Sequence, residues 1–157
     1  MPLDRYDLRI LEELQRDGRI SNQELAERVG LSPSPCSRRV KALEEEGYVA
    51  RHVTLLDPAK LGLSLTALVH ISMDRHTPER FERFEAAIAA LPEVLECYLI
   101  TGQSADYVLK VVVQDMAHYE QFLLGKLTRI EGVTGVHSSF VLRRPVDKSE
   151  LPLGHLR

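Results

Sequence analysis

The stretch of residues 28–43 has the residue types that most clearly suggest chemistry. It holds four basic side chains and no acidic one, namely Arg28, Arg38, Arg39 and Lys41. Guanidinium and ammonium groups neutralise phosphates, and the fork of an arginine matches the two acceptors on a guanine edge. The chemistry predicted for this stretch is therefore recognition of nucleic acid. The alternative interpretation is a solvated basic face on a small helical bundle.

The overall charge argues against a nucleic-acid partner, because 20 Lys and Arg against 23 Asp and Glu give a net charge of −3. DNA-binding domains are usually basic as a whole. Residues 1–62 alone hold 10 basic and 11 acidic groups, so even this half is not basic. We therefore expect modest non-specific affinity, with specific binding depending on base contacts and on several linked binding sites.

Three short helices and a wing are predicted to position these basic residues within residues 1–56. Asp4 is expected to cap the first helix, and Ser21 with Glu24 predicts a capping box at the second. Gly30 ends that helix, and the third is predicted at 34–46 with Cys36 on its buried face. Residues 49–56 are predicted to form a short strand pair or wing.

A helix, a tight turn and a second helix that begins with small polar residues are typical of a helix-turn-helix. On the exposed face of the third helix, Ser34 and Ser37 can reach base edges and Arg38 can bind a guanine. Arg39 lies nearer the protein and suits a phosphate. The candidate DNA-binding residues are Ser32, Ser34, Pro35, Ser37, Arg38, Arg39, Lys41 and Arg51.

The second half changes to strands and helices in the order βαββαβ, which predicts a ferredoxin-like α+β layer. The predicted organisation is a winged helix-turn-helix domain at 1–56, a linker at 57–62, a ferredoxin-like domain at 63–145 and a C-terminal tail at 146–157. One face of such a sheet packs under its helices. Leu68, Leu99 and Val112 are expected on the open face, which predicts dimerisation through it.

The segment 101–107 between the second and third strands of that domain clusters a glycine, an amide, hydroxyls and a carboxylate. These groups suit the ammonium and carboxylate of an amino acid. A plain hairpin explains the same residues, with Gly102 at a positive φ and Asp106 in a local turn, and the residue chemistry alone favours the hairpin.

Other chemistries find little support in the sequence. Six scattered histidines show no paired spacing, so no metal site or cofactor is expected. Ser138 and its neighbours lack a motif that frames a nucleophile. Cys36 and Cys97 share no motif spacing, and a reduced cytosolic protein is the simplest interpretation. The sequence has no apolar run long enough for a membrane span and begins with charged residues, so neither a membrane partner nor a secretory signal is expected.

Taken together, these residues resemble the Lrp/AsnC (leucine-responsive/asparagine-responsive) family of transcription regulators over nearly the whole chain. The matching motifs are Leu3-Asp4, Asp17-Gly18-Arg19, Glu24-Leu25-Ala26, Val29-Gly30-Leu31-Ser32, Pro35-Cys36, Arg39-Val40, Glu96-Cys97, Thr101-Gly102, Asp106-Tyr107 and Gly132-Val133. The resemblance implies a winged helix-turn-helix joined to a ligand-sensing domain, homodimers that assemble into octamers wrapping double-stranded DNA, and an amino-acid effector bound between dimers.

The resemblance favours the segment 101–107 as an effector site rather than a bland hairpin. The candidate effector-binding residues are Thr101, Gly102, Gln103, Ser104, Asp106, Tyr107 and Ser138. Three residues separate Gly102 from Asp106, one more than the commonest family spacing, so the effector's identity does not carry over. Ser37 stands where many relatives carry a larger apolar residue, which alters the expected operator.

The sequence therefore predicts a non-enzymatic, cytoplasmic and nucleoid-associated regulator that responds to an amino acid. Two alternatives stay open. One is an enzyme similar to siroheme decarboxylases, which share this architecture but have no need of an acid-free basic helix. The other is an architectural DNA-binding protein that senses nothing, which would bind DNA regardless of sequence and ignore amino acids.

Overall fold

The computed structural model describes residues 2–102 and 104–157, which form two compact units. One unit comprises the residues up to Leu55 together with Val146–Arg157, and the other is Leu56–Pro145. The main elements are α1 (Arg5–Arg16), α2 (Asn22–Val29), α3 (Pro33–Glu45), β1 (Leu65–Met73), α4 (Pro78–Ala89), β2 (Val94–Leu99), β3 (Tyr107–Val113), α5 (Met116–Gly125) and β4 (Val133–Phe140).

Hydrogen-bonding side chains set the starts of the first two helices. Asp4 accepts from the N–H groups of Tyr6 and Asp7, and Asp7 accepts from the N–H of Asp4, so the cap predicted for α1 is confirmed as a reciprocal capping box. At α2, Ser21 Oγ accepts from the N–H of Glu24 at 3.1 Å. The carboxylate of Glu24 pairs instead with Arg28 at 2.6 Å, so the predicted capping box forms only in half.

The helices of the first unit enclose a small core. Gly30 ends α2 in the left-handed region at φ 79°, which a glycine adopts without strain, and the chain then turns into α3. Pro33 and Pro35 occupy the first turn of α3, where a missing N–H costs little. The buried core residues are Ile10, Leu25, Ala26, Val29, Cys36 and Leu43.

The strand pair predicted at residues 49–56 is wrong, because these residues have no regular secondary structure. The segment VARHVTLL contains none of the glycine, asparagine or aspartate residues that close a two-residue hairpin. Its apolar side chains also find little cover, since Val53, Leu55 and Leu56 are all mostly exposed.

The C-terminal segment packs on α1 within the first unit. The side chain of Gln15 donates to the carbonyl of Leu151 at 3.1 Å and accepts from its N–H at 2.7 Å. Arg16 lies 3.4 Å from Glu150, and Arg157 pairs with Glu12. The last residues of the chain are thus held against its first helix.

The second unit is an antiparallel sheet in the order β2-β3-β1-β4, with α4 and α5 packed on one face. The predicted alternation along β1 is confirmed, because Ala67, Val69, Ile71 and Met73 are all buried. Phe84 and Ile88 of α4, and Tyr119 and Phe122 of α5, close over that face. The α+β fold class predicted from the sequence is confirmed.

Leu99 was predicted on the open face of the sheet, and this prediction is wrong. This residue pairs with Tyr107, whose side chain is buried under α4, so Leu99 lies on the helix side rather than the open side. It stays 57% exposed at the end of the edge strand β2. Leu68 and Val112 do lie on the open face by alternation, at 38% and 7% exposure.

Among the described residues, no helix combines the length and the apolar content needed to cross a membrane.

Candidate functional site

Helix α3 presents one polar, solvent-facing side opposite its buried residues Cys36 and Leu43. Most of the DNA-contact residues predicted from the sequence lie on that side and are exposed, namely Ser32, Ser34, Ser37, Arg38 and Lys41. Pro35 beside them is half-buried. Ser32 precedes the helix and makes no capping hydrogen bond with its side chain. Its hydroxyl is therefore not used by the helix it precedes.

Arg39 does not lie on this exposed side. Its Nη1 lies 2.7 Å from Oδ2 of Asp4 and 2.9 Å from Oδ1 of Asp7, and its guanidinium stacks 5.3 Å from the ring centroid of Tyr6. The two carboxylates raise the pKa of Arg39. The pKa of Asp4 is lowered, mainly by the hydrogen bond from the N–H of Asp7 and next by that from the Arg39 guanidinium. The phosphate contact predicted for Arg39 therefore competes with two carboxylates of its own chain.

The basic residues of the stretch 28–43 differ in how far their positive charge is already paired with carboxylates of the protein. Arg28 pairs with Glu13 at 3.1 Å and Glu24 at 2.6 Å, which raises its pKa. Lys41 is 76% exposed and lies 3.8 Å from Glu45, a contact that water screens strongly. Arg38 makes no ion pair or hydrogen bond within the part of the chain that the structure describes.

Arg51 lies in the irregular segment after α3 and is exposed. Its neighbour His52 lies 3.4 Å from Glu44, near the C-terminal end of α3. The side chain of Arg51 is thus available beside the helix-turn-helix, although the strand pair predicted to carry it is absent.

The segment between β2 and β3 centres on the carboxylate of Asp106. Oδ2 accepts from the N–H of Met73 at 2.7 Å, and Oδ1 lies 2.9 Å from Nε2 of His76. The backbone N–H of Asp106 donates to the carbonyl of Ile71, and its carbonyl accepts from Ile100. Asp106 therefore joins this segment to the end of β1 rather than making only a local turn bond.

The remaining candidate effector residues are placed differently. Thr101, Gly102 and Ser104 are exposed around Asp106, and Gly102 has a φ of 149°, while Gln103 lies outside the described residues. Tyr107 is buried at 1% exposure, and its hydroxyl donates to Glu85 at 2.5 Å. Burial and the Glu85 carboxylate both raise the pKa of Tyr107. Its ring forms part of the core and does not face the exposed segment.

Ser138 is not brought to the same place. It pairs with Val69, two residues along β1 from the Ile71 position that meets Tyr107, and its hydroxyl contacts that of Tyr119. A separate groove of about 280 Å³ runs between α4 and β2, where Glu85 and Tyr107 meet Cys97 and Leu99. The structure thus divides the predicted effector residues among three surroundings.

Prediction from the sequence missed two ionisable side chains that contact predicted effector residues, His76 at Asp106 and Glu85 at Tyr107. Both come from the turn before α4 or from α4 itself, and neither stands in a motif. The only signal is chemical type, since a histidine and an acid lie in an otherwise ordinary amphipathic pattern. In the described residues, no group of three or more His, Cys, Asp or Glu side chains could hold a metal ion.

Comparison with known proteins agrees with this architecture. Residues 3–50 match the model of a winged helix-turn-helix DNA-binding domain, and residues 66–151 match that of the Lrp/AsnC ligand binding domain. The chain belongs to the Lrp/AsnC family. This Lrp/AsnC protein is accordingly a DNA-binding transcriptional regulator. The family resemblance drawn from the amino-acid sequence is confirmed.

Relatives of this Lrp/AsnC regulator cover nearly its whole length. The leucine-responsive regulatory protein of Salmonella typhimurium is 44% identical over 95% of this chain and 90% of its own, and the Bkd operon transcriptional regulator of Pseudomonas aeruginosa is 44% identical over 96% and 98%. A transcriptional regulator from Neisseria meningitidis, crystallised as a complex with L-Met, is 42% identical over 99% of both chains with a TM-score of 0.94.

Proposed function

We propose that this regulator reads its operator through the exposed side of α3, with Arg38 as the principal base contact. The observation that carries the proposal is that Arg38 is exposed on α3 and has no partner among the described residues. An unpaired guanidinium gives up no internal ion pair when it binds a guanine edge, whereas Arg28 and Arg39 would each lose two. Ser34, Ser37 and Lys41 flank Arg38 on this side of the helix. Arg51 contacts phosphates of the adjoining DNA.

The regulator acts on DNA as a symmetric homodimer. The open sheet face supports this assembly, because Leu68 is partly exposed there and Tyr98 of β2, on the same face by its pairing with Val108, is 53% exposed. A dimer places two copies of α3 on half-sites about one helical turn apart. Further assembly of dimers into octamers at the nucleoid would raise the affinity by linking several binding sites.

The effector is an amino acid that binds at the segment around Asp106. Three features support it: the ligand-binding domain of the family, a similar protein solved with L-Met, and a carboxylate beside exposed backbone at Gly102. The carboxylate suits an α-ammonium group, and the backbone N–H groups around Gly102 suit an α-carboxylate. Binding there shifts the oligomeric equilibrium toward the form that the ligand prefers.

Binding to a selected operator and to random DNA tests the DNA contact. Arg38→Ala is expected to weaken operator binding by about 1–3 kcal/mol while leaving random DNA nearly unchanged. Lys41→Ala is the matched control on the same face, expected to weaken both DNAs and to reduce the salt slope by about 1. Equal losses on both DNAs for Arg38→Ala would assign it to the phosphate backbone instead.

A thermal-shift panel of the common amino acids tests the effector. At least one amino acid is expected to stabilise the wild-type protein, and Asp106→Asn is expected to abolish that shift. An Asp115→Asn variant is the control, since Asp115 caps α5 and lies outside the segment. If none of the amino acids shifts the unfolding temperature, the sensing part of the proposal is wrong while the DNA-binding part stands.

A further inference from the structure

The Asp106 carboxylate is already occupied on both oxygens, and its two partners differ in how firmly they are held. The N–H of Met73 that binds Oδ2 is backbone at the buried end of β1, where Met73 is 5% exposed. The imidazole that binds Oδ1 belongs to His76, whose side chain is 64% exposed on the turn between β1 and α4. Only the histidine can leave without disturbing the sheet.

We propose that His76 is a further residue of the effector site, and that its imidazole holds the position at Asp106 that the α-ammonium group of a bound amino acid takes. This inference rests on the proposed effector function. Both groups are N–H donors that seek the same carboxylate oxygen. A ligand must therefore displace the imidazole from Oδ1 or bind directly beside it.

The other charged groups near this turn are engaged elsewhere. Arg80 of α4 lies 3.1 Å from Asp74 and 2.8 Å from Glu131, so its charge is balanced by those two carboxylates. Arg75 adds a further positive charge close to Glu131. From α4, the ring of Phe81 stands edge-on to His76 at 6.0 Å between centroids. Asp106 is the one acidic group that the described structure pairs with His76.

The two donors that compete for Oδ1 differ in strength. The imidazole of His76 offers this oxygen one hydrogen bond at 2.9 Å, whereas an incoming ammonium group donates a charge-assisted one. The imidazole must give up its bond before the ammonium takes the same position. We therefore expect an amino acid to bind more tightly when the imidazole is absent.

Calorimetric titration of the full chain with L-Met and L-Leu at one pH tests the inference. His76→Ala removes the imidazole that competes for Oδ1 of Asp106, and its affinity is expected to rise about two- to tenfold above that of wild type. His76→Gln keeps an N–H donor for the same oxygen and is expected to bind nearly as wild type does. The matched control is His52→Ala, since His52 also faces a carboxylate but lies in the other unit.

The outcomes separate the two proposals. A higher affinity for His76→Ala, beside unchanged affinities for His76→Gln and His52→Ala, supports the inference. An affinity of His76→Ala equal to or below that of wild type overturns it and leaves the effector proposal intact. If neither amino acid binds wild type or His76→Ala, the site proposed for such effectors fails, and the role of His76 fails with it.

Discussion

Nη1 of Arg39 lies 2.9 Å from Oδ1 of Asp7, a carboxylate in a residue that is only 5% exposed. The same nitrogen lies 2.7 Å from Asp4, the residue that caps α1. One guanidinium on α3 therefore satisfies two carboxylates in the first turn of another helix. This arrangement orients the helix that carries Arg38 on its exposed side.

Arg39→Met is expected to lower the free energy of unfolding of the first unit by about 1–3 kcal/mol, since it leaves the carboxylate of Asp7 buried with one partner fewer. Urea unfolding measures the loss, and Arg38→Met on the same helix is the control, expected to change it by less than about 0.5 kcal/mol. Equal effects of the two variants would contradict the internal role of Arg39.

The pair formed by Glu93 and Lys126 makes a second prediction. Glu93 is 9% exposed, Oε1 contacts the Lys126 ammonium, and Oε2 is buried with no partner in the described chain. Burial is the largest single effect and alone would raise the pKa of Glu93. The hydrogen bond from Lys126, a backbone hydrogen bond and the charge of Lys126 together outweigh it, and the pKa falls below its ordinary value of 4.5. The stability this carboxylate contributes is therefore present above pH 4.5 and lost as the pH falls below it.

Lys126→Met removes the main partner of that buried charge, and we expect it to destabilise the second unit at pH 7 by about 1–3 kcal/mol. The deficit should shrink toward pH 4, where an unpartnered buried carboxylate takes up a proton. Denaturant unfolding at both pH values measures it, with Lys60→Met as the exposed control. A deficit that stays constant with pH would show that Lys126 acts through packing alone.

The sequence predicted the regular elements well, because each depends on neighbours close along the chain. Alternation placed β1 to within one residue, and Asp4 and Gly30 mark helix ends through local hydrogen bonding and a positive φ. The prediction that Leu99 lies on the open face of the sheet was wrong for a different reason. Its face depends on its pairing with Tyr107 across the sheet, and a β-bulge between Val94 and Glu96 shifts the register of β2.

The candidate sites were predictable as surfaces but not as sets of partners. Charge type and helical spacing identified the exposed side of α3. They could not show that Arg39 turns toward Asp4 and Asp7, which are more than 30 positions away in the sequence. His76 was missed in the same way, because its contact with Asp106 joins two turns that only the folded sheet brings together.

The packing of the C-terminal segment on α1 predicts a specific effect of Gln15. Its side chain makes two hydrogen bonds with the backbone of Leu151, and replacing it with alanine removes both. We expect the Leu151 amide to lose protection from hydrogen exchange, and the first unit to lose about 1 kcal/mol or less, because the contacts are exposed. Gln23→Ala on α2 is the control. Unchanged exchange at Leu151 in Gln15→Ala would show that apolar contacts alone hold the segment.

Cys97 is a lone thiol in the groove between α4 and β2, and its surroundings suppress its reactivity. Cys97 is exposed at the edge of this groove, but partial desolvation of its sulfur, and secondarily the negative charge of Glu85, raises the pKa of the thiol from 9.0 to about 11. A raised pKa lowers the thiolate fraction at neutral pH, and the thiolate is the species that alkylates. Cys36 has no exposed surface, so Cys97 accounts for the reaction of the folded protein.

Iodoacetamide labelling followed by mass spectrometry measures this suppression. The folded protein is expected to label slowly at pH 7, and the rate should keep rising with pH up to about 11. Glu85→Gln keeps an acceptor for the Tyr107 hydroxyl but removes the charge, so we expect a modest increase in rate, because desolvation of the thiol is the larger cause of its raised pKa. Glu82→Gln on the same helix is the control. A folded-state rate at pH 7 equal to that of the urea-unfolded chain would show that the groove leaves the Cys97 thiol unprotected.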